Sequence, residues 1–274
     1  MAFVSTRARM IVVARSICVV VLLVAAGACA SAPKGPPVGA EEPDKFLHEH
    51  GSKALADRRW FVAREFFRQL VDSYPQSNFR ADAKLGIGDS YLGEGTVEGQ
   101  VMAINEFKEF LAYYPTHERA HYAQFQLGMA HFKQMRGSAR DQTDTKEAIA
   151  EFSTYVERYK DKPLFADAQQ RLREAKDRLS DHEYGVGYFY LRSRMSIPGA
   201  IDRFNGILKT DPEYTRRDAV YFHLAQALIL IEQPAAAIPY LDRLVAEFEQ
   251  SEYLENARTQ LTELKAQMQA QIKK

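Results

Sequence analysis

One stretch of this chain has the residue types and spacing of an enzyme site. His117-Glu118-Arg119-Ala120-His121 matches the H-E-x-x-H pattern, in which two imidazoles four apart share a helix face, bind zinc and leave the glutamate as general base. Catalytic zinc needs three protein ligands and an open fourth position, yet no third ligand follows at a familiar spacing. Gln124 stands where the longer His-x-x-Gly-x-x-His extension needs glycine, charged Arg119 lies between the histidines, and Pro115 and Thr116 open a turn just before them. A zinc peptidase is therefore kept only as an alternative. No Gly-rich phosphate loop and no Gly-x-Ser-x-Gly elbow is present. His48 and His50, separated by one residue, share no helix face, and His131, His182 and His223 are isolated. The residues point to no enzyme, no metal and no cofactor.

A different chemistry is available at Cys29. Arg7, Arg9 and Arg15 lead into an apolar run from Ile17 to Ala26, and Ala26-Gly27-Ala28 stand directly before the cysteine. That is the layout of a cleaved export signal, with an apolar run shorter than the roughly 20 residues that a membrane-spanning helix needs. Small residues before a cysteine resemble a lipobox, which makes residues 1–28 a signal peptide and Cys29 the lipidation site. An ordinary signal peptide with an incidental cysteine is the alternative. Cleavage would remove Cys18, and acylation would consume Cys29, so no thiol pair remains for a disulfide or a metal. It would also remove three arginines from 36 basic residues, leaving 33 against 36 acidic ones. Nucleic acid is excluded as a partner, because phosphate recognition requires a concentrated basic face. Residues 29–44 are Pro/Gly/Ala-rich and read as a flexible tether, while no later segment is apolar for long enough to span a bilayer. Lipoproteins that lack aspartate after the cysteine, as Ala30-Ser31 does here, are sorted to the outer membrane, and that resemblance implies a lipid-anchored, periplasm-facing protein.

The elements that would position any site are helices. From residue 45 to 270, helix formers dominate, and glycine and proline fall between periodic stretches. Ala63-x-x-x-Phe67, Ala103-x-x-x-Phe107, Ala148-x-x-x-Phe152, Ala200-x-x-x-Phe204 and Ala237-x-x-x-Leu241 recur at spacings of 40, 45, 52 and 37. Each is followed by a break: Tyr74-Pro75, Tyr114-Pro115, Tyr159 to Pro163, Asp211-Pro212 and Glu249-Gln250-Ser251. Proline cannot donate within a helix but suits a first turn, so these breaks end one helix and begin the next. Alanine, a large apolar residue and a closing proline at such a period are the TPR signature. The predicted fold is all-α, a superhelical array of about five TPR-like helical hairpins, with Leu85-Gly86 and Leu127-Gly128 as close-approach points, loop insertions at Gly93–Gln100 and Arg136–Thr145, and a longer helical connection from Leu179 to Arg194. Stacked hairpins form a groove that binds peptides or partner domains. The polar stretch from Tyr253 onward suits a capping helix.

Beyond this periodicity, Phe61 to Ile231 resembles the BamD (YfiO-type) lipoproteins of the outer-membrane β-barrel assembly machinery. The resemblance is carried by Pro115-Thr116-His117 with Tyr122-Ala123, by Arg140-Asp141-Gln142 ahead of Ala148 and Phe152, and by Phe165-Ala166-Asp167-Ala168. Lys176-Asp177-Arg178-Leu179, Glu183-Tyr184, Tyr188-Phe189-Tyr190 and Thr215-Arg216-Arg217-Asp218-Ala219 extend it. Lys160-Asp161-Lys162-Pro163, Ser196-Ile197-Pro198 and Glu118 depart from the family pattern. The resemblance implies an adaptor, lipid-anchored in the outer membrane, that binds the POTRA region of a BamA-like barrel protein, joins other Bam lipoproteins and receives unfolded outer-membrane proteins. By the same analogy N-terminal repeats meet substrates and C-terminal repeats meet BamA. Arg217 and Asp218 then become candidates for the BamA contact, or else an ordinary helix-start pair. Arg140 and Asp141 are candidates for a partner contact or for fixing their own loop.

Targeting signals of barrel proteins end in aromatic, alternating strands, so a receiving groove needs apolar walls with polar groups for backbone and terminal carboxylate. Trp60, Phe61 and Tyr91 are candidates for such walls, with burial between helices as the alternative. A TPR lipoprotein serving a cell-division, peptidoglycan or secretion complex is the second functional reading, because repeat arrays change partner by changing groove residues.

Overall fold

Burying an alanine and a large apolar side chain one helical turn apart, five times over, requires a partner helix that can come close to each. The computed structural model describes residues 35–272, among which every regular element is a helix. They are α1 (Pro43–Ala56), α2 (Trp60–Ser73), α3 (Arg80–Glu94), α4 (Val97–Tyr113), α5 (Ala120–Gln134), α6 (Thr143–Arg158), α7 (Phe165–Ser193), α8 (Ile197–Thr210), α9 (Arg217–Leu230), α10 (Pro234–Glu247) and α11 (Leu254–Ile272). Sequential neighbours pack as five hairpins, α1 with α2 through α9 with α10, and α11 closes the array on α10. This is the all-α, TPR-like arrangement that the repeat spacing predicts. The signal segment and Cys29 lie outside the described residues, and α1 begins at Pro43, within the stretch expected to be tether.

The signature residues fall on the second helix of every hairpin. Ala63, Ala103, Ala148, Ala200 and Ala237 are fully buried, as are Phe107, Phe152, Phe204 and Leu241, with Phe67 nearly so. Each phenylalanine ring lies against a glycine of its partner helix. A Cβ added to Gly51 would stand 2.7 Å from Phe67, on Gly88 2.7 Å from Phe107, on Gly128 2.8 Å from Phe152 and on Gly187 2.9 Å from Phe204. In the fifth hairpin Leu241 replaces the ring and Ala225 stands at the corresponding place, both fully buried in one apolar cluster. Gly86 also permits close approach, but between repeats: its Cβ would meet Phe67 of the preceding hairpin at 2.3 Å.

Four of the five breaks share one backbone conformation, two successive turns that deliver the chain to the next helix, and the break at Asp211 keeps the first of them. Ser77 N donates to the Tyr74 carbonyl and Arg80 N to that of Ser77; His117 and Ala120, Lys162 and Phe165, and Ser251 and Leu254 repeat the pattern. Lys160-Asp161-Lys162-Pro163, although it departs from the family pattern, keeps this geometry. The consecutive first helices α1, α3, α5, α7 and α9 also touch one another, whereas the second helices make no comparable contact. The first helices therefore line the inner, concave side.

Helix α7 departs from the repeat. It runs for 29 residues, about 43 Å, absorbing the connection expected from Leu179 to Arg194. Ala168 and Ala175 pack in the cluster around Phe152, while Leu191 packs in the one around Phe204. Arg173 in its first half holds Asp211 of the α8–α9 connection through both guanidinium nitrogens, Nη1 at 2.8 Å, and Ser180 Oγ adds a bond of 2.8 Å. Burial pushes the Asp211 carboxyl up, but Arg173 and Ser180 hold it below the usual carboxylate range.

Two alanine substitutions should act in opposite directions by urea denaturation. Gly86→Ala forces a methyl onto Phe67 and should cost about 1–3 kcal/mol. Gly185→Ala, on the exposed side of α7 with nothing within 4 Å of the new Cβ, should add up to about 1 kcal/mol through helix propensity.

Candidate partner-binding face

On the concave side of the N-terminal half, α1, α3 and α5 and the start of α2 line an open pocket of about 280 Å³. Leu55, Trp60, Leu92, Phe125 and Met129 give it apolar walls, while Asp89, Tyr122, Gln126 and Lys133 supply the polar groups. Trp60 reaches it because Gly93 has no side chain, the ring standing 2.7 Å from where a Cβ would be. Tyr122 and Gln126, one turn apart on α5, both donate to Asp89 Oδ1, at 2.9 and 3.1 Å. Asp89 Oδ2 receives no hydrogen bond among the described residues. Burial among apolar walls pushes the half-buried Asp89 carboxyl up to about 6, against the pull of Tyr122, Gln126 and Arg119. Desolvation and the neighbouring Asp89 charge push the Tyr122 phenol far up as well, so it remains a donor. Arg119 lies 4.9 Å over the Tyr122 ring and pairs with Asp82 at 2.7 Å.

A larger cleft of about 540 Å³ opens between α6, α7 and α8, where the length of α7 separates two second helices. Ile149, Leu179 and Ile207 floor it, and Lys146, Lys176 and the Arg203–Glu183 ion pair stand around it.

Of the three aromatic residues read from sequence as groove walls, Trp60 alone lines the N-terminal pocket. Phe61 is 58% exposed and outside it. Tyr91 is covered by Arg64, 4.3 Å above its ring, and by Arg68, which donates to its hydroxyl. Arg217 and Asp218 serve the repeat junction. Arg217 donates to the Tyr214 carbonyl at 3.2 Å and lies over Phe248, while Asp218 accepts from Ser251 Oγ at 2.6 Å. The first hairpin has the same clamp, Ser77 Oγ to Asp44 at 2.7 Å, so the helix-start alternative has a structural counterpart. Arg216 is the more exposed guanidinium there, 3.3 Å from Asp181.

Asp141 Oδ1 accepts from Thr143 N at 3.0 Å, which holds its carboxyl below the usual range. Arg140 is exposed and makes no ion pair among the described residues. Their loop is tied down by buried Gln142, which donates to the Gly137 and Arg140 carbonyls, and by His182, whose Nδ1 donates to the Ser138 carbonyl at 2.6 Å.

The H-E-x-x-H stretch does not lie on one helix. His117 belongs to the double turn before α5, where its Nδ1 accepts from Arg119 N at 3.2 Å and its ring packs on Phe110 and Tyr114. His121 sits within α5 near Tyr159. Among the described residues no group of three His, Cys, Asp or Glu side chains could hold a metal ion. Sequence reasoning passed over Asp89, and a signal existed: it is the charged residue in the small and apolar run Leu85-Gly86-Ile87-Gly88-Asp89-Ser90.

The sequence profile of the YfiO family, outer membrane lipoproteins, matches residues 40–233. The chain belongs to this family. Among similar proteins, the outer membrane protein assembly factor BamD of Caulobacter vibrioides is 27% identical over 79% of this chain and 70% of its own length. That of Vibrio cholerae is 27% identical over 68% of this chain and 78% of its own, and that of Xylella fastidiosa 24% identical over 62% and 61%. Among solved structures, the TPR2AB domain of yeast Sti1 in its pHSP90 complex overlaps 82% of this chain and 100% of that chain, with 14% identity and a TM-score of 0.39. The MamA protein overlaps 77% and 98%, with 17% identity and a TM-score of 0.36. The family match runs from before α1 to the α9–α10 turn, so the N-terminal pocket and the α6–α8 cleft both lie within it.

A folded-state carboxyl raised from the ordinary Asp value to about 6 binds its proton more tightly than the unfolded chain does, so its contribution to stability falls as pH rises from about 4 to 6. Asp89→Asn keeps an acceptor for Tyr122 and Gln126 without the charge. Urea denaturation should find that variant more stable than the parent at neutral pH by about 1–3 kcal/mol, with the gap closing near pH 4.

Proposed function

We propose that this protein is a lipid-anchored adaptor of outer-membrane β-barrel assembly, held to the outer membrane through Cys29 and facing the periplasm. The observation that carries this reading is family membership, with relatives described as outer membrane protein assembly factors. The fold suits the role, because an array of hairpins exposes a continuous inner face to extended segments and partner domains.

In this reading the N-terminal concave pocket receives unfolded outer-membrane proteins, with Trp60 as one wall. The C-terminal half meets the POTRA region of a BamA-like barrel protein at the α8–α9 connection, where Arg217 and Asp218 shape the junction and Arg216 offers an exposed guanidinium. Other Bam lipoproteins complete the assembly. Asp141 helps hold the α5–α6 loop in the form that the complex needs and Arg140 offers an exposed guanidinium on it, while Phe61 and Tyr91 flank the substrate-receiving end.

Affinity purification of the tagged protein from its native membrane in mild detergent tests this directly. A BamA-like barrel protein should co-purify in near-equal amount, its recovery should drop several-fold for Arg217→Ala, and Cys29→Ala should leave the protein in the soluble periplasmic fraction. Recovery of a division or secretion complex in its place would sink the assembly reading and leave the fold standing.

A further inference from the structure

The N-terminal pocket has more chemistry than an apolar groove requires. Its volume of about 280 Å³ falls below the roughly 300–1,000 Å³ of pockets for drug-sized ligands, which matches one or two side chains of a longer chain. Its floor holds a carboxylate, although burial opposes that charge. Tyr122 and Gln126 satisfy Oδ1 and fix the group in place, and Oδ2 is left as a positioned acceptor with no donor among the described residues. Oδ2 is not sealed from solvent, so a ligand can reach it, and a donor brought there on an apolar body makes a charge-assisted hydrogen bond in a partly desolvated place.

The surrounding charges decide what kind of donor fits. From α5 and the residue before it, Tyr122, Gln126 and Arg119 act on Asp89 and Lys133 lines the same pocket, while α1 and α2 contribute Leu55 and Trp60, which do not titrate. Arg119 is neutralised by Asp82. Lys133, an exposed residue of the pocket's lining, makes no ion pair among the described residues and balances Asp89 in formal charge. The pocket thus has no net negative charge to draw in a cation, and Lys133 would repel one. A neutral donor on an apolar body satisfies both the walls and the acceptor.

We propose that this pocket takes one aromatic side chain bearing a hydrogen-bond donor, the phenol of a tyrosine or the indole of a tryptophan, from an extended segment of an unfolded outer-membrane protein, with Asp89 Oδ2 as acceptor. The inference rests on the substrate-receiving reading above, and it adds a selectivity: tyrosine over phenylalanine at that position of the segment. A site built to hydrogen-bond a hydroxyl discriminates strongly against the analogue that lacks it.

Trp60 is the chain's single tryptophan and lines the pocket, so its fluorescence reports occupancy. The full-length protein in mild detergent is titrated with short, capped, alternating apolar and polar peptides that differ at one central position, Tyr, Phe or Lys. At neutral pH the Tyr peptide should bind about tenfold tighter than the Phe peptide, in keeping with a hydrogen bond to a charged acceptor. In Asp89→Asn that preference should shrink to about twofold or less with the Phe peptide unchanged, and in the unsubstituted protein it should shrink likewise toward about pH 5 as the carboxylate takes up its proton. The pH arm needs no folded variant. Equal affinity for Tyr and Phe, tightest binding of the Lys peptide, or no response of Trp60 to any peptide would overturn the proposal. A parallel titration with a full-length unfolded outer-membrane protein separates the two claims: if that protein binds while the peptides show no Tyr preference, the selectivity alone fails, and if neither binds, the substrate-receiving reading fails with it.

Discussion

The array depends on one repeated contact, an aromatic ring of a second helix lying where a first helix has no Cβ. Helix axes pack roughly 8–10 Å apart, the distance being set by side chains at the crossing. A glycine under Phe67, Phe107, Phe152 or Phe204 brings the pair together while the ring itself fills the space. Glycine weakens a helix interior by roughly 1 kcal/mol relative to alanine, and full burial of a phenylalanine recovers roughly 1.5–3 kcal/mol, so each hairpin gains. The fifth hairpin keeps the sum of volumes with Ala225 and Leu241, which shows that complementarity, rather than either residue alone, is what the repeat conserves within this chain.

Repetition of that contact also determines where the array can differ from itself. Each hairpin buries its apolar face against neighbours only, so a longer helix is tolerated if both ends still find a partner. Helix α7 does this by serving the Phe152 cluster with its first half and the Phe204 cluster with its second. Between those two clusters, Arg173 and Ser180 of α7 bind Asp211 of the α8–α9 connection and tie the long helix to the next hairpin. The consequence is the cleft between α6 and α8, an opening that a strictly regular array would not contain.

The helices, about five hairpins and the breaks between them were legible because they follow from period and from proline chemistry. Spacing of alanine and phenylalanine identified the buried faces correctly from Ala63 to Leu241. Tertiary neighbours were not legible, and the candidate site depends on them. Tyr91 has the composition of a groove wall, yet Arg64 and Arg68 cover its ring. Arg217 and Asp218 look like contact residues in a string of letters, but Asp218 meets Ser251 thirty-three positions away, a pairing that no local pattern reveals. His117-Glu118-x-x-His121 failed as a helical motif for a local reason: the proline two residues earlier starts a turn that ends only at Ala120, so the first histidine never joins the helix.

Asp89 is a charged residue that the packing of the array does not need. An alanine or leucine at that position would suit the run from Leu85 to Leu92, and the burial that raises the carboxyl to about 6 means that the charged form works against stability at neutral pH. Structural duty explains Tyr122 and Gln126 only if Asp89 is already there to be satisfied, so the three cannot be justified by one another. Tyr122 and Gln126 hold this carboxylate in position in the lining of an open pocket, an arrangement that suits binding better than it suits folding. Lys133 sharpens the same argument. Placed one turn beyond Met129 in the pocket's lining, it matches Asp89 with an opposite formal charge, so the lining as a whole is no trap for cations.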